Sequence, residues 1–90
     1  MPEVVKELVV VNPLGIHARP AAALVQCVLK FECDVYISFN GSRINAKSIM
    51  GLLTLAATRG SRLKFTCTGR DAEAAMKAVE DLLAAGFGET

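Results

Sequence analysis

The dipeptide Asn40-Gly41 limits the fold of this chain more than any other feature. It separates residues 34–39, whose apolar side chains alternate with polar ones, from the short run 42–45. A two-residue type I′ turn needs positive φ at both central positions, and asparagine and glycine accept such angles most readily. The pair therefore predicts a β-hairpin whose returning strand is short and lies at a sheet edge. The side chains expected on one face of its first strand are Val35, Ile37 and Phe39.

Two further strands are predicted around the hairpin. Residues 4–11 are rich in valine and leucine, and we expect them to form a first strand that is largely buried. Residues 62–68 alternate between apolar and polar side chains, which predicts another strand. Its apolar side is formed by Leu63, Phe65 and Cys67.

Three amphipathic helices are predicted from apolar side chains that recur every three or four residues. The first covers about residues 21–30, and the second runs from Ser48 to about residue 57, with its end marked by Arg59-Gly60. The third begins after Asp71 as N-cap and ends at Gly86, which leaves residues 87–90 as a loose tail. The apolar stripe expected on the third helix is Ala74, Ala75, Ala78, Val79, Leu82 and Leu83.

The predicted element order is β-α-β-β-α-β-α, without an internal repeat or a linker. A central hairpin with three amphipathic helices favours a two-layer α+β fold, in which the helices cover one face of an antiparallel sheet. We expect residues 1–90 to form a single domain.

The composition argues against several classes of protein. Ten basic and nine acidic residues leave a net charge of +1, whereas a general nucleic-acid binder is usually strongly basic. No signal peptide is recognisable and no apolar run approaches the roughly 20 residues of a membrane span, so we expect a cytoplasmic protein. Cys27, Cys33 and Cys67 lack metal-ligand spacing and are expected to be reduced thiols, without a structural disulfide or a metal site.

Residues 12–22 hold the only histidine of the chain, His17, which is followed by Arg19 and Pro20. Loop-forming residues precede the histidine and a helix follows it. Pro20 suits the first turn of that helix, where its missing N–H is not needed. His17 is therefore expected at a helix start, among unpaired amides at the positive end of the helix dipole. Such surroundings favour an anion.

The residue types around His17 suit phosphoryl chemistry. A neutral imidazole is a nucleophile near neutral pH. A phosphoryl group attached to it would need donors for its oxygens, and helix-start amides and the guanidinium of Arg19 are suitable. Small side chains such as Ala18 would let a partner's active site approach closely. A lone histidine at a helix start is more often a cap or an ordinary surface group, and position alone leaves both interpretations open.

The segment Gly15-Ile16-His17-Ala18-Arg19-Pro20-Ala21 resembles the signature of HPr, the histidine phosphocarrier family of the bacterial phosphoenolpyruvate-dependent phosphotransferase system. A second motif similar to that family, Asn45-Ala46-Lys47-Ser48-Ile49-Met50-Gly51-Leu52, follows at the expected distance, and the resemblance covers essentially the whole chain. The resemblance implies an open-faced sandwich whose four strands lie in the order 1-4-2-3.

The same resemblance implies a function. His17 would accept a phosphoryl group on its δ1 nitrogen from enzyme I and pass it to a IIA component of a sugar transporter. Arg19 would stabilise the phosphate, and the phosphate-contacting loop and helix start would be formed by Gly15, Ala18 and Pro20. We expect a carrier rather than an enzyme, because no second base, carboxylate pair or metal cluster would support turnover of a small molecule. We also expect it to be monomeric and to need no cofactor.

Ser48 predicts a helix N-cap by its residue type alone. In many HPr proteins this serine, followed by Ile-Met as it is here, is the target of a regulatory kinase/phosphorylase, so the resemblance implies that Ser48 is a regulatory site and that HPr kinase/phosphorylase is a partner. The added charge would fall beside an exposed docking patch, for which we expect Ile49, Met50, Leu53 and Thr54. An alternative is that Ile49 or Met50 belongs to the core, which we expect to receive Leu52, Leu55 and Ala56 from this helix.

Departures from the family pattern concern the rim of the site. Leu14 stands where several members have Asn or Ser, and Gln26 and Leu29 replace lysines that some members present to enzyme I. A different class of function is also compatible with the sequence, namely a regulatory module that binds a protein through the Ser48 region without phosphoryl transfer. The sequence does not distinguish a sugar-transport role from a nitrogen-regulatory one.

Overall fold

The predicted hairpin lies at one edge of a four-stranded antiparallel sheet in the computed structural model, which describes residues 2–89. The strands are β1 (Glu3–Val9), β2 (Asp34–Phe39), β3 (Ser42–Asn45) and β4 (Arg62–Thr68), in the order β1-β4-β2-β3. At the turn, φ is 50° for Asn40 and 79° for Gly41, as a type I′ turn requires. The central strand β4 pairs Phe65 with Lys6 of β1 and with Ile37 of β2.

Three helices complete the fold, namely α1 (Ala18–Val28), α2 (Ile49–Thr54) and α3 (Ala72–Ala84), and a short 3₁₀ turn (Gly86–Gly88) follows them. The element order and the strand order confirm the predicted open-faced α+β sandwich. The core lies between the sheet and the helices. Its largest fully buried side chains include Leu24, Leu52 and Met76 from the three helices and Ile37, Leu63 and Phe65 from the sheet.

The sequence predicted a largely buried first strand, and this prediction was wrong. The strand order places β1 at the edge of the sheet, with only β4 beside it, so most of its side chains face solvent. Val5 and Val9 lie among the exposed apolar residues, and the fully buried valine of this region is Val10, which follows the strand. Apolar composition alone could not separate a central strand from an edge strand.

The second helix ends earlier than predicted. It stops at Thr54, and Ala56 takes a left-handed conformation with φ of 51°, which turns the chain away from the helix axis before Arg59-Gly60 is reached. Leu52 and Leu55 are buried as expected. The prediction for Ala56 was wrong, because the turn exposes Ala56 and buries Ala57 instead.

The third helix begins after Asp71 as predicted, but the Asp71 side chain makes no capping hydrogen bond within the helix. Its carboxylate instead accepts the backbone N–H groups of Glu32 (2.8 Å) and Cys33 (2.9 Å). These bonds, chiefly the one from Glu32, lower the pKa of the Asp71 carboxyl. Asp71 therefore fastens the loop after α1 to the start of α3. The buried residues of the helix are Ala72, Ala75, Met76, Val79 and Leu83, so the predicted stripe missed Ala72 and Met76 and wrongly included the exposed Ala74.

The three cysteines are free thiols, with Cys33 and Cys67 buried and Cys27 partly exposed. Burial raises the pKa of the Cys33 thiol to about 12, and its hydrogen bond with Asp71 adds to the effect. A thiol with such a pKa stays protonated and unreactive near neutral pH.

The predicted loose tail is wrong for residues 87–89, while Thr90 lies outside the described residues. Gly86 is buried, Phe87 packs against the core, and the amide of Glu89 donates to the carbonyl of Gly86 at 3.0 Å. The segment folds back toward Asn12 and His17. Within residues 2–89, no helix combines the length and apolar character required to cross a membrane.

Candidate functional site

His17 is the N-cap of α1, with extended backbone angles (φ −101°, ψ −165°) and without a capping bond from its side chain. The next two amides, those of Ala18 and Arg19, occupy the first turn, where a helix offers no acceptor. Pro20 has no N–H, and Ala21 donates to the carbonyl of His17 at 3.0 Å. The imidazole therefore lies beside two helix-start donors, and 36% of its side-chain surface is exposed.

The loop before His17 is held from within by Asn12, which is only 2% exposed. The side-chain Nδ2 of Asn12 donates to the carbonyl oxygen of Gly15 at 2.7 Å, and the backbone carbonyl of Asn12 accepts the Gly15 amide at 3.2 Å. The amide of His17 also donates to the Gly15 carbonyl, at 3.1 Å. Because the Gly15 amide is already bonded to Asn12, Gly15 shapes the loop in this conformation and presents no free donor to a phosphate.

Gly15 also allows the loop to touch the segment that follows α2. Its φ is +69°, and a Cβ placed on it would lie 2.3 Å from the carbonyl oxygen of Ala57 and 2.8 Å from Cα of Thr58. The neighbouring amide of Ile16 donates to that same Ala57 oxygen at 2.9 Å. Only a residue without a side chain fits between the two segments, so the position of His17 depends on this contact.

Glu89 reaches His17 from the far end of the chain. Its Oε2 lies 2.7 Å from Nε2 of His17, and its Oε1 accepts Nδ2 of Asn12 at 2.9 Å. The Asn12 hydrogen bond, followed by the His17 hydrogen bond and the charge of Arg19, lowers the pKa of the Glu89 carboxyl. Because a carboxylate only accepts hydrogen bonds, the arrangement places a hydrogen on Nε2 of His17.

An open cleft of about 600 Å³ surrounds the imidazole. Arg19, Pro20 and Leu14 line it on the side of the loop and α1, and Phe87 and Glu89 line it on the other side. Arg19 is an exposed residue, and Leu14 is 73% exposed. The cleft thus combines the cation of Arg19, the carboxylate of Glu89 and a partly exposed imidazole that lies at the start of a helix. Arg19 and the first amides of α1 can stabilise a small dianion such as a phosphoryl group on the imidazole.

Ser48 is the N-cap of α2, and its Oγ accepts the amide of Gly51 at 3.2 Å. The predicted docking patch is exposed throughout, since Ile49, Met50, Leu53 and Thr54 all face solvent, with Met50 70% exposed. Neither Ile49 nor Met50 belongs to the core, so the alternative assignment of one of them to the interior is wrong. The hydroxyl of Thr54 donates to the carbonyl of Gly51 at 2.6 Å.

Ser48 and His17 lie at opposite ends of a helix pair. Lys47, just before α2, donates from Nζ to the carbonyl of Phe31 beyond the end of α1 at 3.1 Å. At the other end, Ile16 before α1 contacts Ala57 beyond the end of α2. The two helices are therefore antiparallel, and α2, about 9 Å long, separates Ser48 from the loop that precedes His17, which is called the active loop below.

Comparison with known proteins identifies the family of this arrangement. A family model for the PTS HPr component phosphorylation site matches residues 4–85, which is most of the chain. This chain belongs to the HPr family. It is a phosphocarrier of the phosphotransferase system, as the HPr resemblance of the sequence predicted.

Curated relatives support the assignment. The phosphocarrier protein HPr of Xylella fastidiosa is 43% identical over 83 residues, which cover 92% of this chain and 93% of the relative. The HPr of Treponema pallidum is 43% identical over 96% of this chain and 98% of its own. The multiphosphoryl transfer protein of Escherichia coli O157:H7 is 42% identical over 92% of this chain, which matches 23% of that longer protein.

Solved HPr structures share the fold over its full length. A crystal structure of HPr from Thermoanaerobacter tengcongensis matches with a TM-score of 0.90 and 40% identity, and it covers 100% of this chain and 99% of its own. A crystal structure of an HPr dimer from the same organism matches with a TM-score of 0.78 and 42% identity, over 99% and 100% of the two chains.

Two residues of the site were missed from the sequence, namely Glu89, which contacts His17, and Asn12, which holds Glu89. Asn12 was recognised only as a loop residue, although its buried side chain links Gly15 to Glu89. Glu89 was assigned to a loose tail. Glycines on both sides of Phe87 gave the sequence no helical or strand pattern there, and no local signal could indicate a contact with a histidine at the other end of the chain.

Proposed function

We propose that His17 is the residue of this HPr that is phosphorylated, accepting a phosphoryl group from enzyme I and passing it to a IIA component in the cytoplasm. The observation that carries the proposal is the placement of a partly exposed imidazole at the start of α1, with Arg19 on the same cleft. The partners supply most of the catalysis, and the carrier requires no cofactor or metal ion.

The lone pair of the imidazole forms the N–P bond while the bond between phosphorus and the donor breaks, and the electron pair of that bond leaves with the donor. The amides of Ala18 and Arg19 and the guanidinium of Arg19 then stabilise the phosphoryl oxygens. Gly15 and Pro20 contribute by shaping the loop and the first helical turn.

The docking patch of Ile49, Met50, Leu53 and Thr54 is the proposed surface for both partners. Leu14 (73% exposed) and Leu29 extend the exposed apolar surface around α1, where Gln26 and Leu29 take the place of lysines. We therefore expect apolar contact to contribute more to partner binding than charge steering from this helix does.

Ser48 is proposed as the target of HPr kinase/phosphorylase. Its side chain is exposed and lies immediately before Ile49 and Met50 of the docking patch. Because Ser48 lies away from His17, its phosphate would act by placing negative charge on the surface where a partner docks, without touching the imidazole. We expect phosphorylation of Ser48 to slow the loading of His17.

The decisive experiment for the carrier function is incubation of the protein with phosphoenolpyruvate and enzyme I, followed by intact mass spectrometry. The expected result is a gain of one phosphate that is labile in acid and stable in base, and that is absent from a His17→Ala variant. An Arg19→Ala variant should load more slowly and keep its fold. Binding of partners without any mass gain would instead indicate a regulatory module that does not transfer phosphate.

The carrier is proposed to act as a monomer, since His17 and the docking patch both lie on the outer surface of a chain that buries its own core. Analytical ultracentrifugation at concentrations used for phosphoryl transfer should show one chain. A dimer that covers the docking patch would contradict this part of the proposal.

A further inference from the structure

We propose that Glu89 is a positioning residue for phosphoryl transfer, which holds the His17 ring through Nε2–H so that the Nδ1 lone pair faces the cleft. The inference rests on the proposed role of His17 as the phosphoryl acceptor. It assigns a task to a residue that follows the third helix, outside both family motifs.

The two oxygens of Glu89 have different partners, which fixes the orientation of the carboxylate. Oε1 accepts Nδ2 of Asn12 at 2.9 Å, and Oε2 lies 2.7 Å from Nε2 of His17. Asn12 is itself immobile, because its side chain is buried and its Nδ2 also donates to the Gly15 carbonyl at 2.7 Å. Glu89 is therefore anchored to the same loop that carries His17.

This geometry selects one form of the imidazole. A carboxylate offers only acceptors, so the nitrogen that it contacts carries the hydrogen. In a neutral ring the other nitrogen, Nδ1, then holds the lone pair. Within residues 2–89 the structure gives Nδ1 no hydrogen-bond partner. The amides of Ala18 and Arg19 are the next two in the chain, at the start of α1.

The carboxylate also has an electrostatic task during transfer. When Nδ1 forms the N–P bond, the donor's bond to phosphorus breaks and its electron pair leaves with the donor. The ring keeps the hydrogen on Nε2 and gains one positive charge, which the carboxylate at 2.7 Å offsets. When the phosphoryl group passes on, the ring becomes neutral again, and no proton has to move in either direction.

The segment that brings Glu89 to the site makes a tight reversal with left-handed backbone angles. Gly86, Phe87 and Gly88 all have positive φ, at 61°, 58° and 76°. Phe87, for which this conformation is costly, packs against the core. A Cβ on Gly86 would lie 3.7 Å from Cβ of Asn12, an ordinary contact distance, so the positive φ rather than the lack of space favours glycine there. The chain reverses here and directs the Glu89 side chain to the histidine.

The opposite interpretation is that Glu89 covers His17 as a substitute anion beside Arg19 and must leave before loading. The two interpretations predict opposite changes in the rate of phosphate loading when the carboxylate is removed. If the carboxylate positions the ring, its removal slows loading, whereas removal of a cover speeds loading.

The experiment compares the wild type with Glu89→Gln and with the control Glu73→Gln. Both variants remove one negative charge, but Glu73 is exposed in the first turn of α3, about 16 Å of helix away from the segment that carries Glu89. The first readout is the ¹⁵N NMR spectrum of the His17 ring in the unphosphorylated protein, measured on the neutral ring at the alkaline end of a titration. The second is the rate of loading by enzyme I and phosphoenolpyruvate.

We expect the wild type and Glu73→Gln to hold the ring with hydrogen on Nε2, and Glu89→Gln to give a mixture of both neutral forms, because an amide presents a donor as well as an acceptor. The kcat of loading should fall about tenfold in Glu89→Gln with KM little changed. This is far less than the ~10⁴-fold loss when a buried triad loses its carboxylate, since His17 is partly exposed to solvent. An unchanged ring form with unchanged loading, or faster loading, would overturn the inference. If no protein accepts phosphate, the carrier proposal fails, and the NMR result still shows separately whether Glu89 sets the form of the His17 ring.

Discussion

Replacement of Gly15 by alanine tests the contact that positions the active loop. In the structure a Cβ at this position would meet the backbone of Ala57 at 2.3 Å and of Thr58 at 2.8 Å. The obstacle is main chain, which cannot rotate away as the end of a long side chain can. Either the loop or the segment after α2 must therefore shift, and the hydrogen bond from Ile16 to Ala57 lies at the point of strain.

Two contributions to the loss of stability can be separated. Placing alanine at φ of +69° costs about 1–2 kcal/mol. Forcing extra volume into a packed contact costs about 1–3 kcal/mol more. The expected loss in the free energy of unfolding for Gly15→Ala is their sum, about 2–5 kcal/mol. In a domain of 90 residues this is a large part of the total.

Gly41→Ala is the matched control, because Gly41 has a φ of +79° and no atom within 4 Å of the added Cβ. It carries the conformational cost alone, so its loss should be about 1–2 kcal/mol. Urea unfolding at equal m-value measures both losses. Gly15→Ala should also load phosphate more slowly than Gly41→Ala. Equal destabilisation by the two substitutions would show that the contact with Ala57 has been misjudged.

Three further predictions concern stability and regulation. Leu24→Ala, in the fully buried centre of α1, should lower the free energy of unfolding by about 2–5 kcal/mol in urea titrations, and Leu82→Ala, which is only partly buried, by less. Because the pKa of the Asp71 carboxyl is lowered in the folded state, the carboxylate stabilises the fold above its unfolded-state pKa of about 3.9, and this stabilisation is lost as the pH falls below that value. The difference in the free energy of unfolding between the wild type and Asp71→Asn should therefore shrink in acid. Ser48→Ala removes the helix cap, so it should lower the free energy of unfolding by about 1 kcal/mol and leave the rate of phosphate loading unchanged. Ser48→Asp keeps a capping side chain but adds negative charge, so it should slow loading. Equal loading rates for the two variants would contradict the regulatory proposal.

The hairpin and the boundaries of β2 and β4 were accessible from the sequence because their signals are local, whereas the first strand, predicted over residues 4–11, runs from Glu3 to Val9. Asn40-Gly41 allows few alternatives, and the alternation in residues 34–39 and 62–68 matches β2 and β4 residue for residue. Helix ends were less predictable. Nothing in its residue type indicated that Ala56 would adopt a left-handed angle, or that the carbonyl of the next residue, Ala57, would accept the amide of Ile16.

Half of the site was visible in the same local way. The position of His17 and Arg19 at a helix start follows from the flanking loop residues and Pro20. The remaining contacts join parts of the chain that are distant in sequence, and Asn12 and Glu89, which pair through a hydrogen bond, are 77 residues apart. Burial of β1 was misjudged for a related reason, because the strand order decides which strand lies at an edge.

The hydrogen bond from Ile16 to Ala57 gives the molecule an internal reporter. The Ile16 amide belongs to the residue before His17, this residue is almost fully buried, and the acceptor of the amide lies in another segment. Its proton can exchange with deuterium only when those two segments separate. The exchange rate of this single amide therefore measures how often the contact between the His17 loop and the segment after α2 opens, in the wild type and in any variant, without a partner protein present.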